Sequence, residues 1–309
     1  MKICIVGLGS IAIRHVKNLR DILGENITID LLRSGKGKAL PLELLPKINN
    51  IYYSIDDLAC IYDALFITNP TKFHYYTLKE CEKRANSFFI EKPVFETGEE
   101  SIEKLGLDQY KTYYVACPLR YTKVIRYLKR NIDVSNVYSV RCICSSYLPE
   151  WRKNIDYRST YSAHKELGGG VSIDLIHEWD YLCYLFGKPQ KIYSLMGKKS
   201  NLEINSEDIA VYIAEYDDKI IELHLDYFGR VPTRKIELIC KENTIVADLI
   251  DHRITFQREN KFIDFDEDRD SYQKKELLHF FDIVSRKCMN DNTIEQACEV
   301  LRMARGIII

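Results

Sequence analysis

The chain begins with an apolar strand, a glycine turn and a helix in direct succession, in KICIVGLGSIAIRHVKNLRDIL, residues 2–23. The continuous run ICIV is typical of a parallel strand that is covered on both faces. The turn has the three small residues of a GxGxxG/A pattern. The first permits a tight turn, the second lets a pyrophosphate approach the backbone, and the third lets the helix pack on the strand. These features predict a dinucleotide-binding turn, although a glycine pair can also be merely structural. The predicted contacts are Gly7, Gly9, Ser10, Ile11 and Ala12.

Buried strands and helices continue to alternate after this turn. A second strand spans residues 27–32, DALFIT (63–68) is a third, and SFFIEKPVFE (87–96) begins with another. Ligands bind at the carboxyl ends of the strands in open parallel sheets. Lys92 is held at such an end, and Pro93 prevents a helix from starting there. The residue type alone leaves open whether Lys92 is functional or is a solvated surface lysine.

The end of the second strand bears on the choice of cofactor. An acid at this point binds the ribose 2′-hydroxyl of NAD, whereas a base accommodates the 2′-phosphate of NADP. Arg33 and Ser34 stand at this point, with Lys36 and Lys38 close by, while Asp30 comes too early and points into the strand. The sequence therefore favours NADP(H) over NAD(H). In the alternative, Arg33 only stacks on the adenine and either cofactor binds.

From about residue 117 the apolar residues alternate with polar ones at period two, as in VYSVRCICSSY and KIIELHLDYF. This pattern predicts a mostly antiparallel sheet with one face covered. Two amphipathic helices end the chain. We therefore predict an α/β protein with a Rossmann domain in residues 1–118 and an α+β domain with a large open sheet in residues 119–309. The last helices could pack back on the first domain.

The segment 145–167 combines aromatic rings with cationic side chains. This combination suits a polyhydroxylated or anionic small molecule, although a surface loop that packs its own aromatics would look similar. The predicted substrate residues in this segment are Tyr147, Trp151, Arg152, Tyr157, Arg158 and Tyr161.

Next comes GGGVSIDLIHEWDYLCYLFG, residues 168–187, in which three glycines precede a predicted helix. An imidazole near neutrality can take the proton of a substrate hydroxyl, and a nearby carboxylate can orient the imidazole. Asp174 and His177 are therefore candidate catalytic residues. The alternative is a structural polar pair formed by His177 and Asp180.

The ordered set of these motifs resembles the Gfo/Idh/MocA oxidoreductases, the glucose-fructose oxidoreductase and inositol dehydrogenase group. The resemblance implies a nicotinamide-dependent oxidoreductase acting on a sugar, a sugar acid or a nucleotide sugar, with NADP(H) or NAD(H) as cofactor. It implies that Lys92 contacts substrate and nicotinamide ribose, that His177 is the general acid or base, and that Arg120 belongs to the substrate site. It also implies that the segments TNPxxxH and EKP lie beside the cofactor. Their residues are Thr68, Asn69, Pro70, His74, Glu91 and Lys92.

One spacing departs from the family pattern. The histidine follows the acid by three residues instead of four, which places Glu178 at the customary offset from the acid. Both spacings bring side chains to one helical face. The sequence therefore leaves open whether Glu178 shares the role of Asp174.

Composition excludes several other classes. A net charge of −1 gives no basis for nucleic-acid binding, and no apolar run approaches the ~20 residues of a membrane span. Ten cysteines without a CxxC pair predict free thiols in a cytoplasmic protein, and no cluster has the spacing of metal ligands. By family resemblance we expect a homodimer or homotetramer that assembles through the open sheet. Two alternatives remain: a non-catalytic regulator that binds nicotinamide nucleotides, and a glycosidase that uses a tightly held NAD.

Overall fold

The computed structural model describes residues 1–36, 39–58 and 60–307, so Lys38 lies outside the described residues. The chain divides into two compact units. The first combines Met1–Pro118 with Arg269–Glu299, and the second combines Leu119–Asp268 with the segment that begins at Val300.

The regular elements of both units follow one another in chain order. The strands are β1 (Lys2–Val6), β2 (Thr28–Leu32), β3 (Asn50–Tyr52), β4 (Ala64–Ile67), β5 (Ser87–Ile90), β6 (Thr112–Val115), β7 (Val137–Ser145), β8 (Lys191–Gly197), β9 (Ile209–Glu215), β10 (Ile220–Asp226), β11 (Thr233–Cys240), β12 (Thr244–Asp248), β13 (Arg253–Phe256) and β14 (Lys261–Asp264). The helices are α1 (Ser10–Leu23), α2 (His74–Cys81), α3 (Lys123–Asn131), α4 (Val171–Asp174), α5 (His177–Phe186), α6 (Arg269–Val284) and α7 (Ile294–Ala304).

In the described part of the first unit, six strands form a parallel sheet in the order β3-β2-β1-β4-β5-β6. Every residue of β4 and β5 is buried, because both faces of the sheet are covered. The strand order reverses between β1 and β4, which is the point where open α/β sheets bind ligands. The carboxyl ends of β1, β4 and β5 therefore meet at one edge.

An aromatic cluster covers one face of this sheet. Phe66 of β4 stacks on Phe89 of β5 with ring centroids 4.8 Å apart, and Phe280 of α6 packs edge-on against both. Helix α6 also pairs with α1 through Lys274 Nζ and Asp21 Oδ2, 2.8 Å apart. The late helix α6 is therefore part of the core of the first unit.

The second unit contains a sheet of eight described strands in the order β14-β13-β12-β11-β7-β10-β9-β8. All neighbouring strands are antiparallel except β7 and β10, which run parallel. Along β7 the buried residues Val140 and Cys142 alternate with exposed Arg141, and fully buried Tyr181 of α5 contacts Cys142 from the covered face. The opposite face remains open. The predicted fold class, a Rossmann unit followed by an α+β unit with an open sheet, is confirmed.

The described cysteines are all free thiols. No helix among residues 1–36, 39–58 and 60–307 is both long and apolar enough to cross a bilayer.

Candidate active site

The glycine turn after β1 lies against the segment that follows β4. Gly7 has φ +93°, and a Cβ atom at this position would be 2.8 Å from the backbone N and Cα of Asn69. A Cβ on Gly9 would meet no atom within 4 Å. Ala12, the third small residue of the motif, is fully buried. The first and third positions are therefore tightly packed, whereas the second faces open space.

Helix α1 starts directly at this open space. Gly9 is its N-cap, no side chain caps the helix, and no acidic residue lies in its first turn. Ser10 is exposed and Ile11 is half-buried. Backbone amides at a helix start attract anions. The turn thus has the space, the amides and the absence of negative charge that a pyrophosphate group requires.

The end of β2 carries a base and no acid. Arg33 is half-buried, and its backbone N donates to Tyr52 O at 2.9 Å, while Ser34 is exposed. Asp30 is buried within β2, where its carboxylate accepts hydrogen bonds from Asn50 and Tyr62 at 2.9 and 2.8 Å. Asp30 therefore serves the packing of the strands and does not stand at the ligand edge.

The segment after β4 is anchored through its polar side chains. The Thr68 hydroxyl donates to Val6 O at 2.8 Å, and Asn69 Nδ2 donates to Thr77 at 2.8 Å. Asn69 Oδ1 is buried and has no hydrogen-bond partner among the described residues. Exposed Pro70 follows and leads into α2.

His74 joins this segment to the one that follows β5. Its Nε2 lies 2.8 Å from Asn69 O, and its Nδ1 lies 3.1 Å from Pro93 O and 3.2 Å from Val94 O. Burial lowers the pKa of the ring, although the backbone contacts and Glu91 act in the opposite direction. Only 1% of His74 is exposed, so it acts as a tie between two strand ends.

Glu91 and Lys92 come directly after β5. The backbone N of Glu91 donates to Ile67 O at 3.0 Å, which continues the pairing with β4. Its carboxylate contacts His15 Nε2 of α1 at 2.7 Å and accepts from the Lys92 backbone N at 3.2 Å. The sheet edge of the first unit thus gathers the glycine turn, the Asn69 segment and Lys92.

In the second unit, three glycines allow a sharp approach to α4. A Cβ on Gly169 would lie 2.0 Å from Tyr161 O, and one on Gly170, whose φ is +134°, would lie 2.1 Å from Glu207 Oε1. The predicted single helix is divided into α4 and α5. At the division, Leu175 has ψ 29°, and the bonds Ile176 N to Ile173 O and Glu178 N to Leu175 O span three residues. Asp174 thus ends α4 and His177 begins α5.

Asp174 lies among tyrosines. Its Oδ2 accepts a 2.5 Å hydrogen bond from the hydroxyl of Tyr227, a fully buried residue just after β10. Burial of its hydroxyl and the charge of the Asp174 carboxylate raise the pKa of Tyr161. Trp151 packs edge-on against Tyr227 with centroids 5.2 Å apart. Arg152 lies over the Tyr161 ring, 5.8 Å from its centroid.

These contacts connect three predicted substrate residues, Trp151, Arg152 and Tyr161, with the predicted catalytic acid. Tyr227 was not predicted. Its position after an alternating strand is an ordinary one for a core tyrosine, so the sequence gives no signal for it.

Glu178 lies in a different environment from Asp174. It is fully buried, and its Oε1 lies 2.6 Å from Arg234 Nε of β11. Burial alone would lower the pKa of the Arg234 guanidinium, but the negative charge of Glu178 outweighs burial and raises that pKa. Glu178 therefore pairs with Arg234 of the sheet, whereas Asp174 lies beside the tyrosines, and the catalytic role of Asp174 stays a prediction.

The other predicted substrate residues are engaged within the second unit. Arg120 holds Asp180 with its Nε and Nη2 at 2.9 and 2.6 Å and is 6% exposed. Arg158 contacts Asp156 and Glu203.

Two predicted tyrosines and His177 complete this set. The Tyr157 hydroxyl accepts from the Glu203 backbone N at 3.1 Å, Tyr147 lies under Arg230, and His177 is half-buried. Among the described residues, no group of three or more His, Cys, Asp and Glu could hold a metal ion.

A parallel sheet with a glycine turn at its ligand edge, followed by a second unit with an open sheet, is the architecture of a class of nicotinamide-dependent enzymes. Two family sequence profiles match the chain. Residues 1–107 match the oxidoreductase family with an NAD-binding Rossmann fold, and residues 125–246 match the GFO/IDH/MocA C-terminal domain. The chain belongs to the GFO/IDH/MocA oxidoreductase family, as its motifs predicted.

Similar proteins include a D-xylose dehydrogenase of Paenarthrobacter nicotinovorans, which is 26% identical over 168 residues. That alignment covers 52% of this chain and 43% of the relative. Similar solved structures include an oxidoreductase from Thermotoga maritima (TM-score 0.81, 18% identity, 99% of this chain and 95% of that one). Levoglucosan dehydrogenase in complex with NADH has a TM-score of 0.82 at 14% identity, with 99% and 95% of the two chains covered. UDP-N-acetylglucosamine 3-dehydrogenase from Acidithiobacillus ferrooxidans has a TM-score of 0.77 at 16% identity, with 99% and 96% covered. At these identities the solved structures establish the fold.

Proposed function

We propose that the protein is a nicotinamide-dependent dehydrogenase or reductase that transfers hydride between the cofactor and a hydroxyl-bearing carbon of a sugar-type substrate. The observation that carries the proposal is the contact between the strand ends of the first unit. Gly7 lies against Asn69, and His74 ties Asn69 to the segment of Lys92. These contacts support the proposal, because they tie the segment that follows Lys92 to the segment beside the glycine turn, at the edge where open parallel sheets bind ligands.

Each candidate residue has a chemical task in this reaction. When bound, the nicotinamide supplies the hydride acceptor or donor. The Lys92 ammonium stabilises negative charge on the substrate oxygen. His177 takes or returns the hydroxyl proton, since an imidazole titrates near neutrality. Asp174, held by Tyr227, orients the substrate or the imidazole.

We propose NADP(H) as the preferred cofactor. The support is the end of β2, where Arg33 and Ser34 stand and where the nearest preceding acid, Asp30, is bound by Asn50 and Tyr62. NADPH is expected to bind more tightly than NADH in a fluorescence titration. Arg33→Ala is expected to weaken the binding of NADPH more than the binding of NADH. Equal affinities that do not respond to Arg33→Ala would refute the preference.

The substrate is proposed to be a sugar, a sugar acid or a nucleotide sugar. The names of the similar dehydrogenases support this class, as does the cluster of Trp151, Tyr161 and Arg152 beside Asp174. Aromatic faces pack on sugar rings, and a guanidinium can bind an acid or a phosphate. A panel of D-xylose, levoglucosan, myo-inositol and UDP-N-acetylglucosamine, each with NAD⁺ and NADP⁺, would identify the group.

The decisive experiment is Lys92→Ala on the best substrate of that panel. Turnover is expected to be abolished while the cofactor affinity is retained, because the lysine acts on the substrate oxygen. Lys79→Ala, on the exposed side of α2, is the matched control and should retain wild-type turnover. Full turnover by Lys92→Ala would refute the assignment. Cofactor binding without turnover of any sugar would favour a regulator, and release of an aglycone without net cofactor reduction would favour a glycosidase.

We also propose that two or four copies assemble through the open face of the eight-stranded sheet. The registers place Tyr193, Leu195, Ile213 and Phe262 on this same face, where they are 59, 80, 39 and 60% exposed. Exposed apolar side chains in such number on one face are typical of an interface. Between them, the Arg141 guanidinium lies 3.8 Å from the Glu222 carboxylate and 3.4 Å from the Glu237 carboxylate, so its charge is paired on this face.

A further inference from the structure

A buried histidine on α1 contacts the segment that carries Lys92. His15 is 2% exposed, and its ring lies near those of Phe66 and Phe89, with centroids 5.4 and 5.1 Å away. Its Nε2 lies 2.7 Å from Glu91 Oε1. His15 and Glu91 are separated by 76 residues in the chain, so the contact joins α1 to the end of β5.

The charge of Glu91 determines which of the two groups donates the hydrogen bond. Burial would raise the pKa of Glu91, but the hydrogen bond and charge of His15, the charge of Lys92 and the Lys92 backbone N–H outweigh it and lower that pKa. Glu91 is therefore an anion that can only accept, and His15 Nε2 carries the proton. Among the described residues, His15 Nδ1 is buried and has no hydrogen-bond partner.

The second oxygen of Glu91 continues the chain of contacts. Glu91 Oε2 accepts from the Lys92 backbone N at 3.2 Å, and the Lys92 charge acts on the same carboxylate. One carboxylate therefore connects a rigid ring on α1 with both the backbone and the charge of the lysine. A group that is hydrogen-bonded to a functional residue fixes the orientation of that residue. A displacement of the functional residue by about 1 Å can lower the reaction rate by about 100-fold.

We propose that His15 is a positioning residue for the reaction, which orients Lys92 through the Glu91 carboxylate without contacting the substrate. The inference rests on the proposed function, because it assigns Lys92 the catalytic charge. His15 is absent from the predicted cofactor and substrate residues. It adds to them a residue that lies on the far side of Glu91 from Lys92.

The first test compares two substitutions of His15. His15→Gln can still donate to Glu91 from about the position of Nε2, whereas His15→Phe fills the pocket and removes the donor. His15→Phe is expected to lower kcat by roughly 10- to 100-fold, with cofactor affinity and KM little changed, and His15→Gln is expected to retain most of kcat. The matched control is Lys17→Gln on α1, which removes the exposed ion pair to Glu43 and should leave kcat unchanged. Equal kcat values for the Phe and Gln variants would overturn the inference.

The second test does not depend on catalysis. The titratable groups that face Glu91 are His15, Lys92 and His74. Because the pKa of Glu91 is lowered in the folded protein, its stabilising contribution is present above the ordinary glutamate pKa and is lost as the pH falls through the lowered value. In His15→Phe, burial acts on Glu91 without the opposing hydrogen bond of His15, so ionisation of this carboxyl group stabilises the fold less. The loss of Tm between neutral and acid pH should therefore be smaller in His15→Phe than in wild type or His15→Gln. Identical Tm profiles for all three proteins would overturn the link between His15 and Glu91.

Failure of this inference can be separated from failure of the proposed function. If Lys92→Ala loses turnover while His15→Phe keeps the full kcat, the dehydrogenase proposal stands and the positioning role is refuted. If Lys92→Ala keeps turnover, the catalytic proposal fails, and the Tm profiles still decide whether His15 holds Glu91. Circular dichroism of each variant verifies that it is folded.

Discussion

The two sheets of the molecule place polar residues according to different rules. In the parallel sheet each residue of β4 and β5 is buried, so polar side chains with a task can only follow the strand ends. In the eight-stranded sheet, β9 alternates between inward and outward residues, and one face remains open. Its candidate residues therefore come mainly from the long connection between β7 and β8. A chemical site can thus be predicted from strand ends in the first sheet, whereas in the second it depends on how a connection folds.

Breaking the ion pair beneath the eight-stranded sheet is expected to have the largest effect. Glu178→Ala removes a fully buried carboxylate and leaves Arg234, whose side chain is 23% exposed, charged and without this partner. The free energy of unfolding should fall by about 3–5 kcal/mol, measured by urea denaturation. Arg253→Ala, which removes the half-exposed pair with Asp264, is the control and should cost only about 0–1 kcal/mol. Equal losses would contradict the buried position of Glu178.

The second prediction compares isoleucines in the two sheets. Ile5 in β1 is fully buried, whereas Ile213 in β9 is 39% exposed on the open face. Ile5→Ala should lower the free energy of unfolding by about 2–5 kcal/mol. Ile213→Ala should cost about 0.5 kcal/mol or less, at a protein concentration where the chain is monomeric. A comparable loss of unfolding free energy in both variants would show that the open face of the eight-stranded sheet is covered within a single chain.

The third prediction separates packing from ligand binding at the end of β1. Gly7→Ala strains a backbone of positive φ and forces a methyl group against Asn69, so it should cost about 1–3 kcal/mol in thermal or urea unfolding. Gly9→Ala has an ordinary φ of −92° and open space around it. It should leave stability unchanged and weaken NADPH binding in a fluorescence titration. Unchanged NADPH affinity in Gly9→Ala would place the phosphate elsewhere.

The smallest change in stability is expected on the open face itself. Leu195→Lys replaces a side chain that is 80% exposed, so the unfolding free energy of the monomer should change by no more than about 0.5 kcal/mol. Its effect should appear in assembly. Light scattering should give a mass of two or four chains for the wild type and of one chain for the variant. A monomeric wild type would refute assembly through this face.

The sequence predicts the fold and the sheet edge of the first unit because both depend on local patterns. Buried strands, the turn with Gly7 and Gly9, and Lys92 before a proline are all visible within a few residues. The same analysis cannot separate Asp174 from Glu178, because the decision depends on a helix break at Leu175 and on partners in distant strands. Tyr227 and Asp174 are 53 residues apart. Such contacts are set by tertiary packing and leave no periodic signal.

Helix α6 has a consequence for how the protein can be made. Its Phe280 completes the aromatic cluster of the parallel sheet, yet the synthesis of α6 begins about 150 residues after the end of β6, the last strand of that sheet. On the ribosome, Phe66 and Phe89 emerge with the first 118 residues and lack the contact with Phe280 until α6 has been synthesised. A fragment that ends after β6 should therefore expose part of this aromatic cluster and aggregate. A fragment that joins residues 1–118 to the α6 segment should aggregate less, because Phe280 restores the contact.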